Sequence, residues 1–132
     1  MTRTRRTILS LVLLSLALVA CGKNTPTPLP GEPVRDPVEL RSAEILLLES
    51  FPVQVMLKVK VEMPTVCHEL KWDVAKPDDQ NRIMVNLYAL GDPTALCIQM
   101  AGEFEESIPL GSYASGEFTV WVNGVKVGEF AV

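Results

Sequence analysis

The eleven residues from Val53 to Met63 constrain the fold of this chain more than any other stretch. Val53, Val55, Leu57, Val59, Val61 and Met63 alternate with Gln54, Met56, Lys58, Lys60 and Glu62. Successive side chains of an extended strand point to opposite faces, so this segment has one wholly apolar face and one largely charged face. A helix would scatter the same residues around its circumference. The chain must therefore contain a sheet that is packed on one side and wet on the other.

The rest of the chain beyond Val38 repeats that pattern. Val38 to Glu49 predicts one long strand or two short ones, with Ile45 to Leu48 crossing a covered region and Pro52 ending the segment. His68, Leu70, Trp72 and Val74 share parity, and Lys76 to Asn81 is a polar turn. Ile83, Val85, Leu87 and Ala89 form the next inward row, which Gly91, Asp92 and Pro93 break. Leu96 to Met100 reads as a further strand. Phe118, Val120 and Val122 lead into Asn123-Gly124, and Val125 and Val127 resume on the far side. Asn-Gly between alternating strands marks a type I′ hairpin, because both turn residues need positive φ. About seven strands without a sustained helical period predict a mainly β fold, an antiparallel immunoglobulin-like β-sandwich over residues 38–132.

The N-terminal third is organised differently. Arg3, Arg5 and Arg6 precede a charge-free apolar run from Thr7 to Ala20. At about 1.5 Å per helical residue, roughly 14 residues are too short to cross a hydrocarbon core of about 30 Å, so residues 1–20 read as a helical signal peptide. Residues 21–37 hold Pro26, Pro28, Pro30, Pro33 and Pro37, half of the 10 prolines, and read as a stiff polyproline II linker. Such a stalk would lift the folded part clear of a membrane.

Removing the leader leaves 9 basic against 16 acidic residues, a net charge of −7. Nucleic acid and anionic headgroups are poor partners for such a surface, since both require basic patches. Two cysteines then remain beyond Cys21, namely Cys67 and Cys97. An even count in an exported chain reads as a disulfide, with two buried free thiols as the other reading.

Leu18-Val19-Ala20-Cys21 resembles the lipobox of bacterial lipoproteins. The resemblance implies lipid attachment at Cys21, cleavage before it, and a domain anchored on the extracytoplasmic side of a bacterial cell membrane. An ordinary signal peptide with an incidental cysteine is the other reading. Met63-Pro64-Thr65-Val66-Cys67, the acidic and aromatic segment Cys97 to Glu106, Ile108-Pro109-Leu110 and the closing Tyr113 to Gly124 resemble small immunoglobulin-like domains of uncharacterised envelope lipoproteins. That likeness covers most of residues 38–132 and implies the sandwich and a Cys67 to Cys97 bridge. It implies no activity.

Candidate chemistry is sparse. His68 is the single histidine, and no Ser, Cys or His stands at a catalytic or zinc-binding spacing from it. It reads as a strand histidine near the disulfide. Glu103, Glu105 and Glu106 flank Phe104, and Asp78 and Asp79 lie in the polar turn, but neither cluster has a calcium-loop pattern, so both read as solvated charge. No metal or cofactor is expected, and a glycosidase carboxylate pair has little room for a cleft in so small a chain. Trp121 opposes the parity of Phe118, Val120 and Val122, which makes it a candidate partner contact or a cover for a sheet edge. Met56, Met84, Tyr88 and Met100 share outward parity and would form an apolar patch if they cluster.

These features predict a membrane-tethered, non-catalytic binding or structural module of the bacterial envelope, contacting another envelope protein or a glycan. A protease inhibitor is the alternative, because Gly91-Asp92-Pro93-Thr94-Ala95 resembles the Asn-Pro-Thr-Thr-Gly loop of chagasin-type inhibitors. It departs at the asparagine, the second threonine and the glycine. A solute-binding role would need two lobes around a cleft, which one domain of this size cannot supply.

Overall fold

The structure, a computed structural model, describes residues 31–132. The expected signal peptide 1–20, Cys21 and the linker up to Pro30 lie outside the described residues. Eight strands follow in order: β1 (Val34–Asp36), β2 (Glu39–Leu48), β3 (Val53–Met63), β4 (Glu69–Val74), β5 (Arg82–Gly91), β6 (Gly102–Tyr113), β7 (Glu117–Val122) and β8 (Val125–Ala131). They form a β-sandwich of a five-stranded and a three-stranded sheet, and no helix occurs among the described residues.

In the three-stranded sheet β3 lies between β2 and β6. Its inward row from Val55 to Met63 is essentially inaccessible to solvent, as the alternation requires. The outward lysines pair across the strand boundary, Lys58 with Glu105 at 2.8 Å and Lys60 with Glu103 at 3.1 Å. In the other sheet β5 supplies the matching row, Ile83, Val85, Leu87 and Ala89, and β7 adds Val120 and Val122. Leu70, Trp72 and Val74 of β4 pack half-buried against the same core. Tyr113, Phe118 and Phe130 close one end as an aromatic cluster with centroids 4.4 to 5.8 Å apart.

Four features differ from the sequence reading. Leu96 to Met100 is not a strand; Cys97 within it is bonded to Cys67, which holds the segment off both sheets. The strand in this region is instead β6, whose acidic residues hide its alternation and whose Pro109 is tolerated beside a bulge on an edge strand. Strand β1 lies inside the segment assigned to the linker. Between Pro33 and Pro37, residues 34–36 keep their amide donors and pair with Gly91, Leu90 and Ala89. The segment read as linker therefore gives way to the folded domain at Val34, before its expected end at Pro37. Finally, β2 is one bulged strand whose Leu47 and Leu48 are exposed rather than covered, because they run out toward the hairpin tip at the end of the sandwich.

All strand pairs are antiparallel except β5 with β7. One edge of β5 is shared, with β7 along Arg82 to Val85 and β1 along Ala89 to Gly91. Leu87 falls in the gap. Asn123 fills it: its Oδ1 accepts the Leu87 N–H at 2.7 Å, its Nδ2 donates to the Leu87 carbonyl at 3.1 Å, and its own N–H donates to the Val85 carbonyl at 2.9 Å. The predicted hairpin supplies the geometry, with Asn123 at φ 47° and Gly124 at φ 83°. Asn123→Ala would leave the Leu87 amide and carbonyl without their side-chain partners. We expect a loss of about 1 to 3 kcal/mol in urea unfolding.

Candidate functional site

The chemistry-bearing side chains converge at the end of the sandwich where β3 and β5 finish and β1 enters. Cys67 and Cys97 are joined as a disulfide with Cα atoms 6.1 Å apart. The Thr65 hydroxyl lies 2.7 Å from His68 Nδ1, and His68 Nε2 lies 3.1 Å from Asp36 Oδ2. The Cys67 N–H donates to Thr65 Oγ1 at 3.3 Å. A proton on Nε2 satisfies the whole chain, since the ring then donates to Asp36 and accepts from Thr65. A β-carbon at Gly91 would sit 2.6 Å from Nε2, so the imidazole packs directly on the Gly91 backbone.

Hydroxyl, imidazole and carboxylate in this order are the elements of a hydrolase triad. A nucleophile must also reach a substrate carbonyl. Thr65 is 5% exposed, and its oxygen already contacts the Cys67 amide and, at 3.4 Å, Cys97 Sγ. As arranged, the chain ties β1 to the loop between β3 and β4. The local spacing of Thr65 and His68 could have suggested half of this tie; Asp36 lies 32 residues from His68 and left no local signal.

Val34, Asp36, Thr65, His68, Gly91, Ala95, Cys97 and Gln99 share a hollow of about 280 Å³. Its outer wall is the loop after β5. There Asp92 Oδ1 accepts the Thr94 N–H at 2.8 Å and the Thr94 hydroxyl at 2.6 Å, which makes a compact turn. A larger hollow, about 650 Å³, lies at the opposite end between Gln80, Asn81 and strands β7 and β8. Glu117 and Glu129 are the only ionisable residues of its lining; Glu129 is paired with Lys126 at 2.7 Å, and the Thr119 hydroxyl accepts the Trp121 indole N–H.

Of the remaining sequence candidates, Glu105 and Glu106 border a neighbouring hollow of about 470 Å³ that His68 also lines, and the others lie elsewhere. Trp121 lies on the outer face of the five-stranded sheet beside Met84, partly buried, with its indole N–H donating to Thr119 Oγ1 at 3.1 Å. Met84 and Tyr88 share that face, with Arg35 stacked 4.2 Å over the Tyr88 ring, whereas Met56 is on the other sheet and Met100 on the disulfide loop. The outward residues therefore do not form one patch. Of the acidic cluster, Glu103 and Glu105 are paired with lysines rather than free.

Four exposed carboxyls are held below their ordinary range: Asp92 by the Thr94 hydroxyl and amide, Asp78 by the Arg82 amide and guanidinium, Glu105 by Lys58 and Glu129 by Lys126. Each binds a proton less readily folded than unfolded. Their contribution is complete above the ordinary values of 3.8 for Asp and 4.5 for Glu, and is lost as pH falls through the lower folded values. Thermal scans across pH 3 to 7 should show Tm declining once pH drops below about 4.5, a decline that Asp78→Asn makes shallower.

Residues 57–132 match the ORF11 beta-sandwich domain, and the chain belongs to that family. No curated protein and no solved structure matches it.

Proposed function

For this member of the ORF11 beta-sandwich family, we propose a lipid-tethered, non-catalytic binding or structural module of the bacterial cell envelope. The observation that carries the reading is the Cys67–Cys97 disulfide, because such bonds persist in the oxidising spaces outside the cytoplasm. It agrees with a basic and apolar leader that ends at Cys21. One acyl chain holds a protein reversibly and two or three hold it firmly, so lipidation at Cys21 would keep the domain on the membrane. The enclosed Thr65 hydroxyl favours a non-catalytic role, and the partner class is an envelope protein or glycan.

The test is fractionation of cells with mass spectrometry of the mature N-terminus. The wild-type chain should sediment with membranes and begin at an acylated Cys21, and Cys21→Ala should not be acylated. A chain that retains residues 1–20, carries a free Cys21 and has reduced Cys67 and Cys97 would refute the proposal. Turnover of peptide, ester or glycoside substrates that disappears in His68→Ala would refute its non-catalytic part.

One observation favours a second reading. The Asp92 turn is exposed, compact and flanked by the disulfide, the properties of a loop that inserts into a protease cleft. Stoichiometric inhibition of papain-like or serine proteases at micromolar protein would establish it, and its absence would remove it.

A further inference from the structure

We propose that the loop carrying Leu96, Ile98 and Met100 rests in the interface of the lipid bilayer to which the chain is tethered. This rests on the tethered reading above and adds the surface that faces the membrane. From Pro93 to Gly102 ten consecutive residues carry no charge, in a chain that is otherwise strongly acidic beyond its leader. No strand forms here. Cys97 is partly buried and faces the hollow, which Gln99 borders from its exposed rim, while Leu96, Ile98 and Met100 stand out at 104%, 72% and 57% exposure. Val66, also exposed, donates its N–H to the Met100 carbonyl at 3.2 Å and extends the apolar surface.

The occupant follows from where the N-terminal chain arrives. Strand β1 begins at Val34, pairs with Gly91, and lines the same hollow as Ala95, Cys97 and Gln99. Only the 12 residues from Gly22 to Pro33 separate that point from Cys21, at most about 40 Å fully extended. A lipid at Cys21 therefore holds this end of the sandwich nearer the bilayer than the hairpin end, and the contact requires these 12 residues to bend rather than stand out as a stiff stalk. The hairpin tip at Phe51 is at the other end, because β3 runs ten further residues at about 3.3 Å each before it reaches Met63 opposite Gly102. Tethering keeps the loop at a high local lipid concentration, so weak insertion of three apolar side chains suffices. Their lack of charge suits contact with zwitterionic headgroups, from which the acidic remainder gains no attraction.

The experiment uses the mature full chain with its lipid, reconstituted in phosphatidylcholine vesicles with brominated acyl chains. Two variants are compared, Ile98→Trp and Phe51→Trp, both at exposed positions where tryptophan fits without repacking. Against the wild-type emission of Trp72 and Trp121, the added signal of Ile98→Trp should shift to the blue and lose most of its intensity, and that of Phe51→Trp should do neither. Equal quenching of the two in protein that floats with the vesicles overturns the loop contact and leaves the tether standing. A blue shift that occurs without vesicles and grows with protein concentration assigns the loop to a second copy and overturns it also. Protein without lipid at Cys21 that fails to float overturns the tethered reading and this inference together; mass spectrometry of the N-terminal peptide separates that result from the others.

Discussion

Replacing Cys67 and Cys97 together with serine should lower stability by about 3 to 4 kcal/mol, read from urea unfolding of the full chain under oxidising conditions. The two cysteines are 30 residues apart in sequence, and the bond removes that loop's freedom from the unfolded chain. The loss should not be uniform. Between β5 and β6 the chain is otherwise fastened by the Val66 to Met100 hydrogen bond and the Asp92 turn, so hydrogen exchange should accelerate most from Ala95 to Ala101. Strands β3 and β5 should keep their protection, since their pairing does not involve the bond. A double variant as stable as the parent would contradict this, since the bond would then remove no freedom from the unfolded chain.

Leu57→Ala should cost about 3 to 5 kcal/mol, because it leaves a cavity at the centre of the sandwich. Leu57 is wholly buried on the middle strand of the smaller sheet, paired with Ile45 on one side and Ile108 on the other. Neither neighbour can move in freely, as each is held in its own ladder. Phe51 is the control. It is a larger side chain but 86% exposed at the hairpin tip, so Phe51→Ala should change stability by less than about 0.5 kcal/mol. With typical domain stabilities of about 5 to 15 kcal/mol, either large effect removes a substantial share of what a domain of this size has. Equal costs at Leu57 and Phe51 would contradict the placement of the core.

Core and loop are separable: the core depends on alternating apolar rows, while the disulfide end depends on one covalent bond and the Thr65, His68 and Asp36 tie. A surface that carries exposed Leu96, Ile98 and Met100 needs such fastening, since apolar side chains left in water on a free segment would collapse onto the nearest apolar surface. Fastening them from behind, through Cys97, keeps them presented.

Much of this was legible in the residue order. The period of two along Val53 to Met63, Ile83 to Ala89 and Phe118 to Val122 identified the three strands that carry most of the core, because which face a side chain takes is a local property of extended backbone. Asn123-Gly124 identified its hairpin for the same reason. The even pair Cys67 and Cys97 identified the covalent link. What failed were the strand assignments decided by a distant partner. The start of β6 read only as solvated acidic charge because its outward glutamates are matched by Lys58 and Lys60 on β3, more than 40 residues earlier. Residues 34–36 looked like linker because their partner, the edge of β5, is over 50 residues away. Leu96 to Met100 looked like a strand, yet Cys97 is bonded to Cys67 and the segment pairs with neither sheet.

The same division holds at the site. Sequence alone determined that His68 lies beside a disulfide and that ten uncharged residues follow Asp92. Only the tertiary structure decided that Asp36 and Thr65 take the two nitrogens of His68, that β1 and the apolar loop lie at one end, and that β7 joins β5 in parallel with Asn123 completing the edge. Periodicity is fixed by bonds between neighbouring residues, whereas pairing is a choice among all the strands that burial makes available.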